Sequence, residues 1–168
     1  REEKRRIAKA AVKLLEPNDR IIIASGTTLL AFANEINMEI PLTVITTSVK
    51  VSLALCYHPN INVIQLGGPL RKNSVSVTGM YAEDMLKDLS FNKLFIGVDG
   101  LDLTTGLTTS DMGEAHINKK MMDVSQEIIV LTDSSKFGKE GFCKISDYSS
   151  VNRIITDTDA PSYAVEVL

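Results

Sequence analysis

The sequence has no tryptophan, two cysteines, two histidines and five prolines in 168 residues. Cys56 and Cys143 lie far apart without metal-ligand spacing, so no zinc site is expected. Such sparse thiol usage suits a reducing cytoplasm. No apolar run approaches the roughly 20 residues that a helical membrane span needs, and the charged first residues do not resemble a signal peptide. Three signatures are also missing. Without G-x-x-x-x-G-K-[ST] a nucleotide P-loop is disfavoured, and without G-x-G-x-x-G so is a dinucleotide site. Without G-x-S-x-G there is no nucleophile elbow. A net charge of −3 gives no electrostatic footprint for nucleic acid.

What is present is ordinary for one globular domain: 44% hydrophobic and 23% charged residues. Six β-type runs stand out: Arg20–Ala24, Leu42–Thr47, Ile61–Leu66, Lys93–Val98, Glu127–Thr132 and Arg153–Asp157. Most carry consecutive Ile, Val and Leu, the pattern of strands covered on both faces. Between them lie stripes at helical spacing: Ile7, Ala11, Leu14 and Leu15; Leu29, Phe32, Ala33 and Ile36; Val49, Leu53 and Cys56; Ala82, Met85, Leu86 and Leu89; Ile117, Met121 and Val124. Strand–helix alternation predicts an α/β fold, a mostly parallel doubly wound sheet with helices on both faces. Residues 69–79 break the rhythm, as an excursion, a hairpin or a flap. Ser162–Leu168 could begin a last helix.

Residues 1–9 carry five cations against two carboxylates. This is a solvated helix face or the near end of a linker. The chain opens on Arg1 rather than methionine and is expected to be part of a longer protein.

In open α/β sheets, ligands sit beyond the carboxyl ends of the strands. The first run ends in Ser25-Gly26-Thr27-Thr28, a hydroxyl-and-glycine turn that opens a helix. Helix starts offer unpaired N–H groups and partial positive charge, which suits a phosphate; the same residues also make an ordinary cap. The second run ends in Thr47-Ser48, the third in Gly67-Gly68, the fourth in Asp99-Gly-Leu-Asp102, and the fifth in Asp133-Ser-Ser-Lys136. Asp99 and Asp102 could act as bases or orient hydroxyls, or could be turn residues. Glu114 falls in the first turn of a helix, near the rim. Lys136 could neutralise an anion, and Arg71 and Lys72 could do the same. His58 and His116 have no evident partner.

Taken in order, Ser25-Gly-Thr-Thr28, Gly67-Gly68, Phe95-Ile-Gly-Val-Asp-Gly100, Gly106-Leu-Thr-Thr109, Glu114 and Asp133-Ser-Ser-Lys-Phe-Gly138 resemble the C-terminal effector-sensing domain of DeoR-family transcription regulators. The resemblance implies a fold shared with ribose-5-phosphate isomerase and the CoA transferases. It implies one sensing domain over residues 1–168, with residues 1–16 as a junction to a DNA-binding domain outside this sequence. It further implies a repressor of sugar metabolism, no cofactor, homo-oligomers, and a phosphorylated sugar or related metabolite as effector. Ser25, Gly26, Thr27 and Thr28 would hold the phosphate. Thr47, Ser48, Gly67 and Gly68 would border the pocket. Asp99, Asp102 and Glu114 would face sugar hydroxyls, with Lys136 near the anion. Two departures matter. Ala24 stands where these regulators often have an acidic residue. Asp99-Gly-Leu-Asp102 runs into Leu103-Thr-Thr-Gly106, without the lysine that follows the related isomerase motif. Isomerisation needs a base and an electrophile. A sugar-phosphate isomerase or transferase with Asp99, Asp102 or Glu114 as base is therefore the second reading.

Overall fold

The Ile-, Val- and Leu-rich runs become the central strands of a computed structural model that describes residues 2–37 and 39–159. Helix α1 (Glu2–Val12) leads into strand β1 (Asp19–Ile23), helix α2 (Thr27–Glu35), strand β2 (Leu42–Thr46), helix α3 (Val49–Leu55) and strand β3 (Ile61–Gln65). A hairpin, β4 (Leu70–Arg71) and β5 (Ser76–Val77), precedes helix α4 (Met80–Leu86) and strand β6 (Phe91–Ile96). Then come β7 (Gly100–Asp102), β8 (Gly106–Thr109), helix α5 (Met112–Asp123) and β9 (Ser125–Leu131). A 3₁₀ turn (Ser134–Lys136), β10 (Cys143–Ser146) and β11 (Arg153–Ile155) follow. Six strands form one parallel sheet in the order β11-β9-β6-β1-β2-β3.

Alternate residues of each strand feed separate cores, as the two-residue period of a strand demands. Ile21, Ile23, Val44, Phe95, Ile129 and Leu131 pack with Ile7, Phe32 and Val51, which places α1, α2 and α3 on one face. Ile22, Ile45, Leu94, Ile96 and Val130 pack with Leu86, Ile117 and Met121 of α4 and α5 on the other. Phe32 and Phe95 are fully buried, with ring centroids 4.4 Å apart. Beyond its area burial such an aromatic pair contributes about 0.5–1.5 kcal/mol. At the amino ends of the strands, Lys93 Nζ meets Asp19 Oδ2 at 2.7 Å, and both side chains are nearly buried.

The strand order places a topological switch between β1 and β6. From β1 the chain steps outward through β2 to β3; from β6 it steps the other way to β9 and β11. Connections above these two strands diverge and leave a crevice at their carboxyl ends.

Several expectations need correcting. Helix α3 buries Val51 and Leu55, whereas the expected stripe members Val49 and Leu53 are 39% and 65% exposed and Cys56 is exposed. Ser48 caps the helix through Val51 N–H at 3.1 Å, and that start sets a different phase. Met85 and Leu89 are each 42% exposed, because α4 ends at Leu86 and turns Ala82 and Leu86 inward. The residues after the fourth run, for which turns were one of the alternatives, form strands β7 and β8, which pair with β10 in a three-stranded antiparallel sheet. Their Gly, Asp and Thr content reads locally as turn. At Gly106, φ is +80° and an added Cβ would lie 2.1 Å from the Ser146 carbonyl oxygen, so this crossing requires glycine. Residues 69–79 contain the hairpin, one of the alternatives expected. The pattern at Ser162–Leu168 lies outside the described residues. No helix among the described residues is long and apolar enough to cross a membrane.

Candidate functional site

A cavity of about 280 Å³ opens at the switch point, near the small end of the ~300–1,000 Å³ range of ligand sites. Its walls follow from the topology. Ser25, Gly26, Thr27 and Thr28 come from the β1–α2 junction, Gly97, Val98 and Asp99 follow β6, and Thr132, Asp133 and Lys136 follow β9. Helix α5 adds Glu114 and Asn118, the hairpin adds Arg71 and Ser74, and α1 adds Lys4.

The β1–α2 corner is built to present donors. Gly26 sits at the N-cap of α2 with φ 140° and ψ 158°, and no side chain caps the helix. Glycine is close to obligatory for that backbone. The first-turn N–H groups therefore meet the cavity with the positive end of the helix dipole behind them. Among the described residues neither Lys4 nor Lys136 makes a salt bridge within 4 Å, although the Lys136 charge acts on the Asp133 carboxylate.

The opposite wall is acidic and tied down. Asp99 Oδ2 accepts hydrogen bonds from Thr109 Oγ1 at 3.0 Å and Ser110 N–H at 2.9 Å. Asp111 caps α5 by accepting from Glu114 N–H at 2.9 Å. Arg71 donates through Nη1 to Glu114 Oε2 at 2.9 Å, and its Nε lies 3.7 Å from Asp111 Oδ2. Ser76 Oγ donates to the same Glu114 oxygen at 3.3 Å. These contacts clasp the hairpin to the start of α5. Burial pushes the Glu114 carboxyl above its ordinary range, against the opposing pull of Arg71. Partial burial also acts to raise Asp133, yet hydrogen bonds from the Ser135 side chain and backbone N–H hold its carboxyl below the ordinary value.

Of the residues singled out in the sequence, the fold brings Ser25, Gly26, Thr27, Thr28, Asp99, Glu114 and Lys136 together. It does not bring Thr47, Ser48, Gly67, Gly68 or Asp102 to the cavity. The physical reason is strand order: β2 and β3 lie beyond β1, away from the switch. Thr47 and Ser48 instead join the β2–α3 junction to the hairpin. Val77 N–H donates to the Thr47 carbonyl at 3.0 Å, and Ser48 bridges to Ser76. Gly67 N–H donates to the Met85 sulfur at 3.4 Å, and Gly68 packs near Val77 and Tyr81. Asp102 closes the β7–β8 turn, accepting from Thr104 and Thr105 N–H at 2.9 and 3.1 Å. Those backbone bonds hold its carboxyl below the ordinary value. His116 is at the surface, 2.6 Å from Glu83.

Sequence reasoning missed Lys4, Asp111 and Asn118. Lys4 reaches the cavity only because α1 packs beside α2, which no local pattern encodes. Asn118 had one signal: it lies four residues after Glu114, on the same side of a helix. Arg71 was noted for its charge, but its reach to α5 was not foreseeable.

This arrangement is a parallel α/β sheet with an uncapped helix start at its switch point and an acidic wall opposite. A family model described as the DeoR C terminal sensor domain matches residues 1–158. The chain belongs to that family. It is 38% identical over 165 residues to the putative aga operon transcriptional repressor of Escherichia coli O157:H7, covering 98% of this chain and 61% of that protein. It is 34% identical over 160 residues to the lactose phosphotransferase system repressor of Staphylococcus epidermidis (strain RP62A), covering 94% and 63%. The chain thus spans about three fifths of the length of these relatives. In structure it is similar to ribose 5-phosphate isomerase A from Methanocaldococcus jannaschii, with TM-score 0.58, 23% identity, and 80% and 53% of the two chains covered. At that identity the likeness establishes the fold.

Proposed function

We propose that this chain is the ligand-sensing part of a DeoR-type repressor of sugar metabolism, and that its effector is a phosphorylated sugar or related metabolite. The observation that carries the reading is the convergence of the uncapped α2 start, the Ser25–Thr28 hydroxyls and the ammonium groups of Lys4 and Lys136 on one cavity. A dianion satisfies all of them. Ser25, Gly26, Thr27, Thr28 and Lys136 hold the phosphate, and Asp99 and Glu114 stand toward the sugar. Thr47, Ser48, Gly67, Gly68 and Asp102 serve indirectly, by supporting the hairpin and the β7–β8 turn.

Residues 1–168 act in this reading as one sensing domain, with residues 1–16 as the junction to a DNA-binding portion, in a cytoplasmic homo-oligomer. Lys4 gives the effector a contact on α1 itself. Binding energy that differs between two conformations or assemblies then changes DNA affinity. Support for a non-catalytic role comes from the carboxylates: Glu114 is engaged by Arg71 and Asp99 by Thr109 and Ser110. No lysine follows Asp102 across residues 103–106.

The test is calorimetric titration with inorganic phosphate, ribose 5-phosphate and the 6-phosphates of glucose, galactose and fructose. Saturable one-site binding of a sugar phosphate supports the reading; folded protein that binds none of them refutes it. The isomerase likeness favours a second reading, aldose–ketose isomerisation with Asp99 or Glu114 as base. Turnover of ribose 5-phosphate that is abolished by Asp99→Asn or Glu114→Gln would establish it.

A further inference from the structure

We infer that two copies of this chain join along strand β3: its free edge pairs antiparallel with β3 of a second copy across a twofold axis, making one continuous sheet. The inference gives the proposed homo-oligomer a surface, and rests on the proposed function only for the expectation that copies associate.

In the central sheet β3 is an edge strand, paired among the described strands with β2 alone. The Asn60 carbonyl accepts from Leu42 N–H, and the Thr46 carbonyl accepts from Leu66 N–H. Residues of a parallel ladder alternate, so Asn62 and Ile64 also face β2, and Val63 and Gln65 turn their N–H and C=O groups to the open side. Such a row is a template for another strand, and proteins normally guard it with charge, proline, a bulge or shortness. β3 has none of these guards. Its five residues, Ile61-Asn62-Val63-Ile64-Gln65, are uncharged and free of proline, and they hold one register with β2 throughout. The other edge of the sheet is guarded. There β11 has three residues and carries an exposed Arg153, 3.3 Å from Glu127 of β9.

An edge of this kind is covered by a strand, and the charge pattern fits a second copy of β3. A twofold axis sets one surface against itself. A charged residue near the axis would therefore meet its own like charge, which is destabilising. With the axis at Val63, Ile61 lies opposite the copy's Gln65, Asn62 opposite its Ile64, and Val63 opposite its own counterpart. Every facing pair is uncharged. Val63 and Gln65 then make the backbone bonds that the single chain leaves open. The flank is apolar as well. Met85, whose sulfur accepts from Gly67 N–H at 3.4 Å, and Tyr81, packed near Gly68, are 42% and 64% exposed just past the carboxyl end of β3. Large apolar side chains left in water beside an open edge mark an interaction surface.

The experiment combines analytical ultracentrifugation across a wide concentration range with amide hydrogen exchange read residue by residue by NMR. It compares the wild-type chain with Asn62→Lys and Val63→Pro. The first sets like charges about 7–8 Å apart across the axis. The second deletes an outward N–H, and proline is tolerated on an edge strand at such a position. The expected wild-type result is a dimer or an even-numbered assembly in which the Val63 and Gln65 amides exchange slowly. Either variant raises the dissociation constant about tenfold or more. In the dissociated Asn62→Lys chain those two amides exchange fast, while the amides of β1 stay protected and show the fold intact. A monomeric wild type would overturn the inference. So would a wild-type assembly in which Val63 and Gln65 exchange freely, or one that neither variant weakens, because the copies would then meet on another face. Calorimetric titration with the sugar-phosphate panel separates this inference from the proposed function. A monomer that binds a sugar phosphate refutes the interface and leaves the sensing role, whereas a β3-paired dimer that binds none refutes the sensing role and leaves the interface.

Discussion

Thr27→Val isolates the anion corner from the scaffold. Thr27 is the first residue of α2, is exposed, and lines the cavity. Valine reproduces its shape and backbone N–H but removes the hydroxyl. Surface substitutions of this kind change stability by about 0.5 kcal/mol or less, and Val and Thr have similar helix propensities. A hydrogen bond to a charged group contributes about 1.5–3 kcal/mol, or roughly tenfold to a hundredfold in affinity. Thermal shift reads both quantities at once. At a ligand concentration of 100 Kd, binding stabilises the native state by about 2.7 kcal/mol. With affinity thirtyfold weaker at the same concentration, that falls to about 0.9 kcal/mol. For a domain of this size about 2–4 °C corresponds to 1 kcal/mol. A ligand-induced shift of roughly 5–11 °C should therefore shrink to roughly 2–4 °C, while the ligand-free midpoint stays put. An undiminished shift would remove Thr27 from the site; a large fall in the ligand-free midpoint would make its hydroxyl structural.

Gly26→Ala should cost about 1–3 kcal/mol in urea unfolding, because φ 140°, ψ 158° is close to closed for any residue with a Cβ; unchanged stability would contradict the backbone described for this corner. Lys93→Met leaves the buried Asp19 carboxylate without its cation, held only by the Glu16 N–H at 3.0 Å, so stability should fall by about 3–5 kcal/mol. Ligand affinity should not change, because the pair lies at the opposite ends of the strands. A loss below about 1 kcal/mol in urea unfolding would mean the pair is dispensable. Glu114 gives a pH prediction. Its carboxyl is raised above 4.5 in the folded state, so between 4.5 and the folded value the native state holds the extra proton. Its contribution to stability is thus most favourable at low pH and is lost as pH rises through that window. The difference in unfolding free energy between wild type and Glu114→Gln should decline from pH 4 to 7, and a rising difference would reverse the assignment.

The central sheet was legible because its strands are apolar on both faces, and Ile21-Ile22-Ile23 alone feeds two cores. The contents of the site were partly legible for a related reason: small polar residues follow each buried run. Their convergence was not. The pairing of Ile21 with Lys93 is a long-range choice, and it decides that the β1, β6 and β9 ends share a cavity while Thr47, Ser48, Gly67 and Gly68 stay outside. The β7–β8–β10 sheet is hard to see in the sequence because its strands are only three or four residues long, and β7 and β8 carry the Gly, Asp and Thr of turns. The helix phases of α3 and α4 were misread where an exposed Leu53 or Met85 imitated a core position at the right spacing.

The measurement that bears most directly on the central claim is a crystal structure of this chain with the sugar phosphate it binds best. The account predicts phosphate oxygens within about 3 Å of the first-turn N–H groups of α2 and of the Lys136 ammonium, with the sugar directed toward α5. Ligand seated elsewhere, or with its phosphate against Asp99 and Glu114, would contradict it.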